Sequence, residues 1–349
     1  MLRRKFLQSA MALPALAQGR KIKLGIDTYS IRSSRWKAPR LLDYAASLKL
    51  DAVQMSQVDF ESLEEPYLLR LKEQAKRLGI GLEPGFGCIC PVSNGWNAAR
   101  AGDPVRYIEE GIRVTKTLGG TAFRVFIGGL PDRVAGTSIA AMMESAIKSL
   151  RAAAPRARDA GIRIAIENHG DLLARQMRTV IEEAGRDVAA SCFDSGNPVN
   201  LAEDPLLAFE VLGPYIVTSH IRDSVVYEHP RGAAVQWVAL GEGVIDLKRL
   251  ARRWAEVCPQ APFLLEIITG RPPQVLPYLE PAFWKGFGDT PAADFARFAA
   301  IAKAGHPFMG TMMIAGTGTQ PKEFRDALVL QERLDLERSL EYARKILLT

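Results

Sequence analysis

The sequence predicts an α/β protein whose eight parallel strands and their helices form a (β/α)8 barrel, the TIM-barrel fold. Three observations lead to this fold class. Short apolar runs recur eight times, a stretch with helical spacing of apolar residues follows each run, and glycine stands where several of those helices end. Strand–helix alternation implies parallel strands with right-handed crossovers, and eight such units close a barrel.

The predicted strands are short runs of β-branched or apolar residues. In chain order they are Lys21–Asp27, Ala52–Met55, Gly79–Glu83, Ala122–Ile127, Arg163–Glu167, Ala189–Asp194, Ile216–His220 and Pro262–Glu266. A doubly wound open sheet is the alternative fold. It normally carries a G-x-G-x-x-G turn after its first strand, and the segment from Gly25 to Ser30 has no such pattern.

Helices are predicted between the strands. Apolar residues recur at helical spacing over 41–48, 68–78, 142–150 and 247–254. Two connections, 88–100 and 126–137, are longer than the others and would lie over the C-terminal face of the barrel.

The first 17 residues predict a signal peptide of the twin-arginine type. Arg3 and Arg4 precede a hydrophobic pair, an apolar run covers 10–17, and a small-x-small pattern ends at Ala17. Cleavage after Ala17 would leave a barrel domain over 18–290, exported to the periplasm or beyond. A frayed basic terminus is the alternative interpretation of the same residues.

The C-terminal part is longer than a barrel needs. Residues 292–304 and 324–347 are predicted to be helical, and several prolines between 272 and 281 mark an irregular stretch before them. We therefore expect 291–349 to form a C-terminal helical extension packed on the barrel, which includes the eighth helix.

Composition excludes several classes of protein. The chain has 349 residues, of which 48% are hydrophobic and 24% charged, so intrinsic disorder is excluded. Three of the six surplus positive charges lie at Arg3, Arg4 and Lys5, and the near-neutral remainder does not indicate nucleic-acid binding. No apolar run approaches the roughly 18 residues of a membrane span, so no stable membrane insertion is expected after signal cleavage. The spacing of Cys88 and Cys90 does not match a zinc site, and four cysteines are too few for a disulfide scaffold.

An ionisable residue stands at the end of each of the last four predicted strands. These residues are Glu167, Asp194, His220 and Glu266. Because the carboxyl ends of barrel strands lie in one ring at the catalytic face, three carboxylates and one imidazole converge there.

Such a cluster predicts a bound cation. Three carboxylates within a few ångströms would raise each other's pKa strongly if no positive charge lay between them. Mixed oxygen and nitrogen ligands suit one divalent ion, Mn²⁺, Mg²⁺, Co²⁺ or Zn²⁺. The alternative is that each residue only caps a strand or forms an ion pair. That explanation would have to apply separately to four residues that stand at the same end of four successive strands.

The strand ends resemble the xylose isomerase-like barrels, the sugar (phosphate) isomerase/epimerase group. The resemblance rests on Glu167-Asn168-His169, Asp194 with Gly196-Asn197, His220-Ile221-Arg222-Asp223 and the terminal Glu266. The loop Gly241-Glu242-Gly243 adds to it, and the similarity covers about residues 21–267. It implies that the four clustered residues bind one divalent ion. It also implies that Glu167 and Glu266 act as paired acid and base groups on opposite faces of a sugar.

The chain departs from two branches of that group. Asn197 stands where the abasic-site endonucleases and the ketose epimerases carry histidine, and the loop at Gly241 lacks an Asp-x-His pair. A three-zinc DNA-repair site is therefore not expected, and assignment to the ketose 3-epimerases is weakened.

Four further residues are candidates for substrate binding. They are Arg222, His169, Asn197 and Glu83, and each has a structural alternative such as an ion pair or support of a neighbouring ligand. Asp27 and Gln54 could likewise bind a sugar hydroxyl. Trp96, Phe126 and Trp284 are candidates for stacking on a sugar ring.

The predicted function is that of a metal-dependent isomerase or epimerase of an unphosphorylated sugar, keto-sugar or cyclitol. No phosphate-binding element is evident, and the only partner expected is a small carbohydrate, with a homo-oligomer left open. A keto-sugar or cyclitol dehydratase on the same metal site is one alternative. A non-catalytic sugar-binding barrel is the other.

Overall fold

The computed structural model describes residues 22–348, and eight of its strands form a parallel barrel sheet. The barrel strands are β1 (Leu24–Asp27), β2 (Ala52–Ser56), β3 (Gly81–Cys88), β4 (Ala122–Phe126), β5 (Arg163–Glu167), β6 (Ala189–Asp194), β7 (Ile216–His220) and β10 (Phe263–Leu265). The predicted (β/α)8 barrel is confirmed, and three predicted strands match residue for residue. The predicted signal peptide, residues 1–17, lies outside the described residues.

Eleven helices are present in the described residues. They are α1 (Ala38–Ser47), α2 (Glu65–Leu78), α3 (Ala98–Ala101), α4 (Pro104–Leu118), α5 (Leu130–Ala135), α6 (Ile139–Ala160), α7 (Ala174–Ala184), α8 (Pro205–Leu212), α9 (Leu247–Val257), α10 (Ala292–Ala304) and α11 (Lys322–Leu347). Helix α2 is an example of how the sequence defines these helices. Leu68, Leu71 and Ala75 form its buried face, and Gly79 ends it at a φ of 71°. Residues 22–348 contain no helix that is both long and apolar enough to cross a bilayer.

The barrel strands follow the order β10-β1-β2-β3-β4-β5-β6-β7, and each pair is parallel. Ile221, just after β7, closes the ring. Its N–H donates to Leu264 at 2.7 Å, and its carbonyl accepts from the N–H of Glu266 at 3.1 Å. The carboxyl ends of all eight strands therefore meet at one rim, with Asp194 paired directly to His220.

Strand β3 is longer than the sequence predicts. Pro84 and the glycines after it resemble a turn, so the predicted strand ends at Glu83, but β3 continues to Cys88 with an irregular register against β4. Glu83 consequently lies inside the barrel, one layer below the rim.

A small antiparallel sheet, formed by two strands between the seventh and eighth barrel strands and one strand after the eighth, was not predicted. It consists of β8 (Asp223–His229), β9 (Gly232–Val238) and β11 (Gln274–Leu276), in the order β11-β9-β8. Phe298 of α10 packs with Val226 and Val235 in a core separate from the barrel's. We call these three strands the inserted sheet; it stands beside the rim that carries the site.

Helix α11 packs against the barrel. Glu332 accepts hydrogen bonds from the N–H and the hydroxyl of Ser33, both at 2.8 Å, and the Tyr44 hydroxyl donates to Glu337 at 2.9 Å. Leu336 and Leu340 are buried in the main core. Contacts with α9 and β10 give α11 the position that the eighth helix of a barrel occupies.

Candidate metal centre and adjoining cavity

Glu167, Asp194, His220 and Glu266 come together at the rim of the barrel. The first three end β5, β6 and β7, and Glu266 follows β10 directly. One ligand atom of each residue lies within 4.8 Å of the others, and all four side chains are buried. His220 Nδ1 is 3.3 Å from Glu167 Oε1 and 3.5 Å from Glu266 Oε2. The structure thus brings together the four residues in which the sequence predicts a metal site.

The unsatisfied atoms of this cluster fit a cation. Glu167 Oε2, His220 Nδ1 and Glu266 Oε2 are all buried and accept or donate no hydrogen bond among the described residues. The two carboxylate oxygens each lie 3.1 Å from an arginine nitrogen, so their charge is partly balanced by ion pairs. Unsatisfied buried polar atoms are costly, and carboxylate oxygens with an imidazole nitrogen are ordinary ligands of small divalent ions. The cluster could therefore hold a metal ion.

Gln54 sets the orientation of His220. The amide oxygen of Gln54 lies 2.7 Å from His220 Nε2, and its amide nitrogen lies 3.2 Å from Glu83. Since an amide oxygen can only accept, Nε2 donates its proton to Gln54, and Nδ1 is the nitrogen that faces the cluster and can bind a metal ion once its own proton is lost. The sequence suggested Gln54 as a sugar ligand, but the structure places it behind the histidine.

Asp27 and Glu83 lie on the same inner side of the cluster. Asp27 Oδ2 is 3.6 Å from His220 Nε2, and burial raises the pKa of Asp27 to about 7 although His220 lowers it. Glu83 accepts hydrogen bonds from Gln54 and Thr218, and burial raises its pKa. The structure therefore places Glu83, a predicted substrate ligand, beneath His220 and not among the residues that line the cavity described below.

Glu167 is held as an anion by its neighbours. Burial alone would raise the pKa of Glu167, but His220 and Arg124 lower it well below its usual value. Arg124 Nε is 3.1 Å from Glu167 Oε2, and the amide of Asn197 reaches Glu167 Oε1 at 3.4 Å. The ion pair with Arg124 was not predicted, because an arginine in the middle of a strand has no distinguishing sequence pattern.

Asp194 is the ligand with the most hydrogen bonds. Its Oδ1 accepts from the N–H groups of Gly196 and Asn197 at 2.7 and 2.8 Å, and its Oδ2 accepts from Arg222 Nε at 2.8 Å. Burial raises the pKa of Asp194 to about 6, although Arg222 lowers it. Asn168 binds both backbone polar groups of Asp194 and so braces the ends of β5 and β6.

Arg222 connects the cluster to the inserted sheet. Its Nη2 pairs with Asp194 and lies 3.1 Å from Glu266 Oε2, while its guanidinium stands 4.5 Å from the ring of Trp237. Its Nη1 is buried without a hydrogen-bond partner in the described chain. Two acidic residues that follow Arg222 in the sequence have other partners: Asp223 accepts backbone hydrogen bonds from the loop at Gly241, and Glu242 pairs with Arg338.

A cavity of about 440 Å³ opens above the cluster. We call it the inner cavity. The site residues that line it are Arg124, His169, Asn197, Arg222 and Glu266, together with Tyr29, Phe126, Asn200, Trp237, Arg271 and Gln274. Among the two glutamates predicted as acid and base, Glu266 lines the inner cavity and Glu167 lies behind it.

His169 forms one wall of the inner cavity. Its Nδ1 lies 2.8 Å from the carbonyl oxygen of Gly128, which can only accept, so Nδ1 carries a proton. The ring stacks on Phe126 with centroids 4.3 Å apart. Of the three aromatic residues suggested for sugar stacking, Phe126 lines the cavity, whereas Trp96 packs on Tyr107 and Trp284 on Phe295.

Comparison with protein families matches residues 42–284 to the xylose isomerase-like TIM barrel model. One curated relative is a protein of Escherichia coli (strain K12), the uncharacterized protein YihM. It is 23% identical over 257 residues, which cover 71% of this chain and 70% of that protein.

Solved structures share the fold at low sequence identity. A D-psicose 3-epimerase determined in the presence of D-fructose superposes with a TM-score of 0.59 at 15% identity, covering 93% of this chain and 99% of its own. A barrel protein from Mycobacterium smegmatis in complex with magnesium gives 0.58 at 14% identity, covering 82% and 98%. The probable 3-DHS dehydratase AsbF from Bacillus anthracis gives 0.54 at 14% identity, covering 70% and 92%.

Proposed function

Since this chain belongs to the xylose isomerase-like TIM barrel family, we propose that it is a divalent-metal-dependent isomerase or epimerase of an unphosphorylated sugar, keto-sugar or cyclitol. The proposal rests on one observation: the buried cluster of Glu167, Asp194, His220 and Glu266 has three polar atoms that form no hydrogen bond with the described residues, and it borders a cavity of sugar-binding size. The structural neighbours include epimerases and a probable dehydratase, which supports the proposal that this chain is an enzyme of the same superfamily.

The four clustered residues would hold the ion, whose identity among Mn²⁺, Mg²⁺, Co²⁺ and Zn²⁺ is open. A divalent ion bound there supplies Lewis acidity to a carbonyl and a neighbouring hydroxyl of the substrate. Arg222 lines the inner cavity, where its guanidinium can donate to a substrate oxygen on which negative charge develops.

Glu266 is the proposed proton carrier. It lines the inner cavity, so its carboxylate can take a proton from a carbon next to the carbonyl. Glu167 would be the second acid/base group in an epimerase. The lowered pKa of Glu167 and its ion pair with Arg124 suit a carboxylate that stays ionised and holds the metal. For Glu167 to return a proton to the substrate, the substrate would have to extend past Glu266.

A dehydratase is the second candidate, and the same asymmetry favours it. With one glutamate at the cavity wall, Glu266 can remove the proton, and the protonated imidazole of His169 on the adjacent wall can donate the proton with which a hydroxyl leaves as water. The two reactions differ in product mass, because only the dehydratase product is lighter than its substrate by one water.

Metal content is the first test of the proposal. The protein is purified without chelator, reconstituted separately with each of the four ions and measured by mass spectrometry beside Glu266→Gln. We expect about one equivalent in the wild type and a clear loss in the variant, because the amide removes one anionic ligand. Wild-type protein that takes up none of the four ions would contradict the proposal.

Proton abstraction is tested next, with the metal-loaded protein in D₂O and a panel of keto-sugars and cyclitols. Deuterium gained without change of heavy-atom composition indicates isomerisation or epimerisation, and loss of water indicates the dehydratase. Metal and sugar binding without either reaction, with Glu167→Gln binding the sugar nearly as well as wild type, would leave a non-catalytic sugar-binding barrel.

A further inference from the structure

The inner cavity continues into a second cavity of about 500 Å³, which we call the outer cavity. Asn200, Trp237, Arg271 and Gln274 line both cavities, so the two share a border. The other residues that line the outer cavity are Val235, Gln236, Pro272 and Pro273. A ligand bound at the metal cluster therefore has open space beyond it.

The inserted sheet builds this outer cavity. Trp237 and Gln236 lie on β9, Gln274 begins β11, and the Gln236 side-chain amide donates to the carbonyl of Arg271 at 2.9 Å. The Trp237 indole donates to the carbonyl of Gly196 at 3.2 Å, which fixes the ring at the border of the two cavities. The walls are thus held by hydrogen bonds to the barrel and within the insertion.

The chemistry of the outer cavity suits a sugar. Its walls present one indole, the amides of Asn200 and Gln274, and the guanidinium of Arg271, which forms no ion pair with the described residues. Among residues 22–348, no carboxylate and no lysine line it. Planar donors and acceptors around an aromatic face are the groups that bind hydroxyl-rich rings, because they satisfy hydroxyls while the aromatic face covers apolar C–H surface.

We propose that the outer cavity binds a second sugar unit, so that the substrate is a glycoside or disaccharide whose reacting unit sits in the inner cavity. The inner cavity alone falls within the range of about 300–1,000 Å³ in which proteins bind whole small ligands. A free monosaccharide would leave the outer cavity unused. This inference rests on the proposed function, because it is the proposed function that places the reacting unit of the substrate at the metal cluster.

The test compares each disaccharide with its own monosaccharide. Isothermal titration calorimetry is run on Mn²⁺-loaded and metal-free wild-type protein with the pairs glucose and cellobiose, glucose and maltose, galactose and lactose, and xylose and xylobiose. We expect at least one disaccharide to bind about tenfold more tightly than its monosaccharide, which corresponds to about 1.4 kcal/mol.

The matched variant is Arg271→Ala with Gln274→Ala, two exposed side chains whose removal leaves no buried gap. The ratio of disaccharide to monosaccharide affinity is expected to fall to about one in this variant. Arg252→Ala, an exposed arginine on α9, is the control and is expected to keep the wild-type ratio. Melting temperatures of both variants are measured in parallel, to show that they are folded.

Two outcomes would overturn the inference: every monosaccharide binds as tightly as its disaccharide, or no saccharide of the panel binds protein that carries its metal. These outcomes are distinct from failure of the proposed function. Metal uptake with deuterium exchange into monosaccharides alone would retain the proposed function and reject the outer sugar site. Disaccharide binding by a protein that takes up no metal would retain the outer sugar site and reject the proposed function.

Discussion

His220 offers Nδ1 to the metal cluster because Gln54 occupies its other nitrogen. A residue that touches neither metal nor substrate therefore fixes which imidazole atom is available as a ligand. Partners of this kind usually contribute 10–100-fold to metal affinity, because they fix ring orientation and tautomer before the metal arrives.

Gln54→Met is expected to weaken metal affinity by about 10–100-fold, since methionine fills the space without accepting from Nε2. The measurement is a competition titration with a chromophoric chelator. Thr218→Val is the control, because it removes a hydrogen bond from the same buried network without touching His220. Equal affinities in wild type and Gln54→Met would show that His220 needs no such partner.

Glu203 gives a pH dependence of stability that is separate from the metal cluster. Its carboxylate is buried at the start of α7, where it accepts from the N–H of Ala174 at 3.1 Å. Burial raises its pKa to about 8 from an ordinary value of 4.5. The folded protein therefore keeps the Glu203 proton at pH values where the unfolded chain has lost it.

The free energy of unfolding is accordingly expected to fall as pH rises from about 4.5 to about 8, by up to about 1.4 kcal/mol per pH unit from this group. The sign follows from proton counts, because in that window the native state binds more protons than the unfolded state. Glu203→Gln should flatten the slope in urea unfolding curves recorded at several pH values. A slope that does not differ between the two proteins would refute the assignment to Glu203.

The candidate ligands could be read from the sequence because each ends a recognisable apolar strand. Their partners could not. Gln54, Arg124 and Trp237 have no sequence signature of their own. Gln54 meets His220 across the barrel, Arg124 meets Glu167 from the neighbouring strand, and Trp237 meets Arg222 from the inserted sheet. Glu83 illustrates the reverse case, since a strand that runs past Pro84 places it one layer below its expected position.

At the scale of secondary-structure elements, α4 approaches β4 closely at one glycine. A Cβ on Gly111 would lie 2.5 Å from Cε2 of Phe123 and within 3.0 Å of two more ring atoms. Phe123 is fully buried and also packs edge-on against Phe86, so the ring has little room to move.

Gly111→Ala is expected to destabilise the protein by about 1–3 kcal/mol, because overpacking outweighs the gain of about 1 kcal/mol in helix propensity. Urea unfolding monitored by circular dichroism provides the measurement. The double variant Gly111→Ala with Phe123→Leu should recover part of the loss, since leucine vacates ring positions. A single variant as stable as wild type would mean that the helix shifts freely over the sheet.

The inserted sheet shows why one element of the fold escaped sequence analysis. A turn signal is present, because Pro230 and Gly232 separate two apolar segments, and such a pattern predicts a hairpin. The regular alternation of strand and helix suggested a single loop there instead. Neither β9 nor β11 pairs with a barrel strand, so the β/α period does not include them.

At the scale of the whole molecule, eight strands in order form one ring, and local patterns along the chain suffice to predict such a topology. The cellular location depends on a different part of the chain, residues 1–17, which precede the described structure. We propose from Arg3, Arg4 and the apolar run after them that the folded protein is exported through the twin-arginine route.

Replacement of both Arg3 and Arg4 by lysine in the full chain is expected to retain the protein in the cytoplasm of a bacterium that has this route. The charge is unchanged, so the loss would be specific to the arginine pair. Fractionation and immunoblotting measure the location, and Lys5→Gln serves as the control outside the pair. Export of the double-lysine variant at the wild-type level would exclude the twin-arginine route.

The site is divided between the two halves of the chain. Strands β1–β4 supply Asp27, Gln54, Glu83 and Arg124, whose side chains hold the proposed ligands in place or neutralise their charge. The four proposed ligands all come from β5 onward. During synthesis the supporting half leaves the ribosome first, and the cluster stays incomplete until Glu266 has emerged and its strand has joined β1. A metal site with all four proposed ligands can therefore form only once the ring has closed, and an ion retained by the protein would report that closure.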